Sequence, residues 1–155
     1  MADRTFLDWP FFEPHHRALA ERLDDWAASS LPAIVDAPGA HENVDATCRA
    51  LVKALGQGGW LRYCAPEAFG GALKSLDVRS LSIIRETLAR HSGLADFAFA
   101  MQGLGSGAIS TFGPDALKNW ASAQVIGCDT VSFPVSGVAA RPIAWHGARP
   151  KSGYS

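Results

Sequence analysis

Apolar positions recur at helical spacing in four stretches of the chain. Phe12, Leu19, Leu23 and Trp26 share one face of a helix. Proline's tolerance in a first turn starts that helix near Pro10, and the Ser29-Ser30-Leu31-Pro32 break ends it. Val44, Cys48, Leu51 and Leu55 step by three and four along a second helix, stopped by Gly56, Gly58 and Gly59. Val78, Leu81, Ile84 and Leu88 form a third stripe, with Arg79, Arg85, Glu86 and Arg90 turned mostly to water and His91-Ser92-Gly93 closing it. From Ala95 to Phe112 the chain is apolar nearly all round, which predicts a helix covered by the others. A short fifth helix begins at Pro114-Asp115.

The predicted fold is therefore all-α, about five helices in an orthogonal or up-down bundle around one buried apolar helix. From about Asn119 the helical period fades, and Val138–Ser155 has three basic residues, no acid and two prolines. Residues 1–118 are read as one helical domain and 119–155 as an irregular tail. At 155 residues the chain is long enough for one core.

Composition removes several functions. A net charge of −1 provides no electrostatic basis for binding nucleic acid or an anionic membrane. Between Gly93 and Phe112 the only charge is Asp96, yet Gln102, Ser106, Ser110 and four glycines dilute the stretch. A helix buried in protein is expected there, not a membrane span. Cys48, Cys64 and Cys128 are widely spaced without a C-x-x-C pair, as in a reduced, cytoplasmic protein with buried thiols. The acidic residues near the N-terminus do not make a secretion signal.

Candidate chemistry is sparse. Gly103-Leu104-Gly105-Ser106-Gly107-Ala108 satisfies G-x-G-x-x-[GA], and Phe97–Met101 alternates before it as a strand could. A small-residue helix packed closely on its neighbours accounts for the same glycines. Glu13-Pro14-His15-His16 contains the Glu-x-x-His element of di-iron bundles without a second copy, and both histidines read as a solvated helix start. His91 suits the carbonyls at a helix end. Cys64 has no visible catalytic partner. No metal ligands and no catalytic residues are assigned.

Two turns carry a resemblance. Leu55-Gly56-Gln57-Gly58-Gly59-Trp60 is similar to L-G-x-x-G-W/L, and Pro66-Glu67-Ala68-Phe69-Gly70-Gly71 to P-E-x-Y/F-G-G. Gln102-Gly103-Leu104-Gly105 follows on the apolar helix, with Ile109, Gly113 and Lys118 in order. This series, from Phe6 to about Lys118, resembles the N-terminal helical domain of flavin-dependent acyl-CoA dehydrogenases.

The resemblance implies an intact enzyme that dehydrogenates an acyl-CoA thioester between its α and β carbons. A glutamate of the C-terminal domain takes the α-proton, and hydride passes to FAD. Electron-transfer flavoprotein or a similar acceptor, and a homo-oligomeric state, are implied for that intact protein. Within this chain the resemblance places Phe97, Ala98, Met101 and Leu104 on the wall of the acyl pocket, where core packing would select the same residue types. The family pattern next expects F-A-x-S/T-E-P-x-x-G-S-D, whereas Phe133-Pro134-Val135-Ser136-Gly137-Val138 stands here, as truncation or a shifted reading frame after about residue 119 would leave it. The expectation is a domain that holds no FAD and has no dehydrogenase activity by itself. Two other classes stay open: a stand-alone helical module binding acyl groups or a partner protein, and a small nucleotide-binding domain on Gly103–Ala108.

Overall fold

Pro14, not Pro10, opens the first helix. Glu13 and His16 form a reciprocal cap, each side chain bonding the other's backbone N–H, so the first turn is satisfied directly after the Trp9–Phe12 stretch. The computed structural model describes residues 3–127. Helix α1 is Pro14–Ser30, α2 the single turn Pro32–Val35, α3 Val44–Gln57, α4 Val78–His91, α5 Gly93–Phe112 and α6 Asp115–Gly127. Three 3₁₀ turns lie at Thr5–Asp8, Trp60–Cys64 and Glu67–Phe69. Among the described residues there is no strand, only an isolated bridge between Pro66 and Leu73. The fold is all-α, as predicted, with five helices of three turns or more and the extra turn α2.

Helices α3, α4 and α5 each start on a side chain suited to the task. Asn43 accepts the N–H of Ala46 for α3, Asp77 those of Arg79 and Ser80 for α4, and Ser92 that of Ala95 for α5. Helix α1 packs on α4 and α4 on α5, which also meets α3, α6 and the Trp60–Cys64 turn. Leu19, Leu23, Leu51, Leu55, Ile83, Ile84, Leu88 and Phe99 fill the space between them. Burial of one such side chain stabilises the fold by about 1.5–3 kcal/mol. Trp26 and Trp60 meet at 5.7 Å between ring centroids, tying α1 to the turn after α3.

Several helix faces depart from the predicted ones. Val78 is exposed and Leu81 half-buried, because the covered face of α4 is Ser80, Ile83, Ile84, Thr87 and Leu88. Val44 is likewise exposed on α3. Helix α5 is the hub of the bundle, yet only one face is covered: Ala95, Ala98, Phe99, Gln102, Ser106 and Ser110. Helix α6 continues past Lys118 to Gly127, with Ala121, Ser122 and Val125 buried. The segment from Phe133 to Val138 and the rest of the basic tail lie outside the described residues, as does Cys128.

Candidate functional site on helix α5 and the turns before it

Helix α5 presents a second apolar face that nothing described covers. Phe97 is 48% exposed, Leu104 65% and Phe112 87%, with half-buried Met101 between the first two. The spacings of four, three and eight residues keep them on one side of the helix. Leaving large apolar groups in water forgoes about 1.5–3 kcal/mol each, so a row of them marks a surface shaped for something else. Of the four sequence-predicted pocket residues, Phe97, Met101 and Leu104 share this face. Ala98, 4% exposed, turns toward the core instead. Arg85 of α4 grips Asp96 with two hydrogen bonds of 2.8 and 2.9 Å, holding the start of α5 against its neighbour.

The turns before α4 owe their shape to glycine at two positions. Gly59 has φ 78°, the left-handed conformation that side chains rarely adopt, and it starts the Trp60–Cys64 turn. Gly71 is buried, and a Cβ there would lie 1.7 Å from the Ala65 carbonyl oxygen. Its N–H donates to the Pro66 carbonyl, closing the loop. Arg62 ties the loop back, donating through Nε to the Gly70 carbonyl at 3.0 Å and through Nη2 to that of Gly71 at 3.4 Å. The two motifs are thus one folded unit next to α5.

Within this unit Cys64 is buried against α5, where Ser106 Oγ reaches its carbonyl. Burial pushes the thiol up to about 12, the opposite of an activated nucleophile. Cys48, half-buried, is also a free thiol, and burial and then the Asp45 charge raise its pKa and disfavour the thiolate.

The histidines hold the main surprise. His16 is fully buried, not solvated, while His15 is exposed. The Glu13 N–H donates to His16 Nδ1 at 2.9 Å, which places the ring proton on Nε2 and directs it to Asp77 Oδ2 at 2.7 Å. Burial would raise Asp77, but hydrogen bonds from His16, Ser80 and Arg79 outweigh it and hold the carboxyl well below its usual range. One contact therefore caps α1 and α4 together. His15, His16 and Asp77 bring their ligand atoms within 4.8 Å of one another. A metal on His16 Nε2 would need Nδ1 to carry the proton, facing the Glu13 N–H donor, and Arg79 donates to Asp77 from 3.1 Å. The group is a structural clamp, not a metal site. His91 likewise bonds Asp24 at 2.8 Å and not the helix-end carbonyls. Burial raises the Asp24 carboxyl, but bonds from His91 and Arg4 and the charges of Arg4 and Arg90 hold it below its usual value.

Nothing described fits a dinucleotide. Gly103–Ala108 lies inside α5 with no strand before it, so its N–H groups belong to the helix and cannot cradle a pyrophosphate. A Cβ on Gly103 would make ordinary contact with Cys64 Sγ at 3.6 Å, while one on Gly107 would meet nothing within 4 Å. Close packing accounts for the first glycine and not the second. The nucleotide-binding reading of this segment is overturned. No helix among the described residues is long and apolar enough to cross a membrane.

The described residues form an all-α bundle with a Gly-bounded double turn packed beside its hub helix. The sequence profile of the family described as acyl-CoA dehydrogenase, N-terminal domain, matches residues 13–126, most of the chain. The chain belongs to that family. The match begins at the cap of α1 and runs one residue short of the end of α6. No curated protein matches the chain.

Proposed function

We propose that this chain serves as the N-terminal helical domain of a flavin-dependent acyl-CoA dehydrogenase and contributes one wall of its acyl-chain pocket. The observation that carries the reading is the bare apolar face of α5. Phe97, Met101 and Leu104 form the wall, with Ala98 behind them holding α5 to the core. An acyl chain is recognised by apolar area alone, so these residues bind and position and take no proton. The α,β-dehydrogenation of the thioester belongs to the intact enzyme, whose FAD supplies the redox chemistry. No residue of this chain is assigned to that cofactor or to a chemical step. An electron acceptor such as electron-transfer flavoprotein, and homo-oligomerisation, likewise belong to the intact enzyme.

One wall exposed to water captures a chain weakly. Calorimetric titration of the purified chain with octanoyl-CoA and with free CoA tests this directly. The expected result is a dissociation constant weaker than about 100 μM for octanoyl-CoA, with no dye reduction when FAD is added. Saturable binding near 1 μM, dependent on the acyl group, would overturn the reading in favour of a stand-alone acyl-binding module.

A further inference from the structure

Eight arginines lie among the described residues, and their partners separate them into two groups. Arg4, Arg17, Arg49, Arg79, Arg85 and Arg90 each sit within ion-pair distance of an aspartate or glutamate. Arg22 and Arg62 do not. Arg22 donates only to the Tyr63 hydroxyl, at 3.2 Å, and Arg62 only to the carbonyls of Gly70 and Gly71. These two exposed side chains line the same open concavity of about 280 Å³, with Gly58, Gly59, Trp60, Tyr63 and Ala72. No carboxylate is among its walls.

We propose that this concavity is an anion site for the phosphate group of a small molecule. The chemistry follows from the donors left over. A guanidinium has five N–H donors in a planar fork suited to phosphate oxygens. Arg22 commits one to Tyr63, and Arg62 commits two to the loop carbonyls. Tyr63 accepts from Arg22, so its own O–H stays available as a donor. Those carbonyl bonds orient Arg62 before any ligand arrives, and a single 3.2 Å bond to Tyr63 orients Arg22. Such preorganisation lowers the ordering cost of binding. Two positive charges without a counter-charge among the described lining residues favour a dianion over a monoanion. The volume is at the small end of ligand pockets, which suits a phosphate with a short organic remainder and not a macromolecule. The site is independent of the α5 face and of the acyl-pocket reading.

The test is titration of the full chain with inorganic phosphate, against chloride at matched ionic strength, followed by ³¹P NMR line broadening and by thermal unfolding. Saturable broadening is expected, with a rise in Tm that chloride does not reproduce. R22Q should weaken phosphate binding about tenfold, and Tyr63→Phe by a smaller factor. Arg49→Gln, which removes an ion-paired arginine on α3, should change nothing. Arg62→Gln is also expected to abolish binding, but it loosens the loop, so R22Q decides the matter. Unsaturable broadening, an equal effect of chloride, or R22Q binding as tightly as the unmodified chain would overturn the site. Saturation by phosphate esters but not by free phosphate would also overturn the claim that the charge pair itself is the recognition element.

Discussion

His16 shows how far one side chain's environment can depart from its neighbour's. It follows exposed His15 directly, yet it is enclosed completely and both ring nitrogens are bonded. His16→Ala removes the cap of α1 and the main partner of Asp77 in one step. It should destabilise the chain by about 2 kcal/mol or more, measured by urea unfolding. The pH response follows from Asp77. Its carboxyl is depressed in the folded state, so its contribution is fully present above the unfolded carboxylate value of about 3.9. It is lost as pH falls through the lower folded value. Unfolding curves taken from pH 6 downward should show stability falling below about pH 4. Asp77→Asn should be less stable at neutral pH and show a shallower acid loss; an unchanged acid slope in that variant would remove Asp77 from the explanation. A pair of adjacent histidines after Glu-Pro carries no sign in the sequence that one is buried. The signal that could have found it is Asp77, an N-cap residue sixty-one positions away.

At the scale of elements, periodicity located α1, α3 and α4 because each buries a stripe, and Leu51, Leu55, Ile84 and Leu88 lie where the spacing put them; an apolar run located α5 and Pro114-Asp115 located α6. Boundaries were harder. Pro10 and Pro14 both satisfy a first-turn rule, and only the Glu13–His16 cap decides between them. Val78 and Val44 fit a helical stripe but sit at helix starts, beyond the reach of the core. The 3₁₀ turns have no hydrophobic period to read, although their glycines were visible as turn residues. Two glycine substitutions separate turn from helix. Gly71→Ala forces a Cβ into the Ala65 carbonyl and should cost about 3 kcal/mol or more. Gly107→Ala places a Cβ in open space on α5 and should stabilise by about 0.5–1 kcal/mol. Thermal unfolding of the two variants side by side checks both signs; a destabilising Gly107→Ala would mean that this face of α5 is more crowded than the fold shows.

The described residues form a bundle with a core on one side of its hub helix and a largely exposed apolar row on the other. The sequence reads α5 as covered all round, because twenty residues with one charge look alike on every face. Hydrophobicity states that a face is meant to be covered; it does not state by what. That distinction separates the family, legible from two glycine turns and the residues after them, from the pocket, where Phe97 and Leu104 have the composition of core and the exposure of a surface. On the proposed function, this face is covered by something other than the helices of its own domain. Sedimentation velocity on the purified chain, across micromolar concentrations and beside a Phe97→Ser, Leu104→Ser double variant, tests it most directly. The expected result is concentration-dependent self-association of the unmodified chain and a shift toward monomer in the variant, with helical circular dichroism unchanged in both. A monodisperse, cooperatively unfolding monomer for the unmodified chain at every concentration would contradict it.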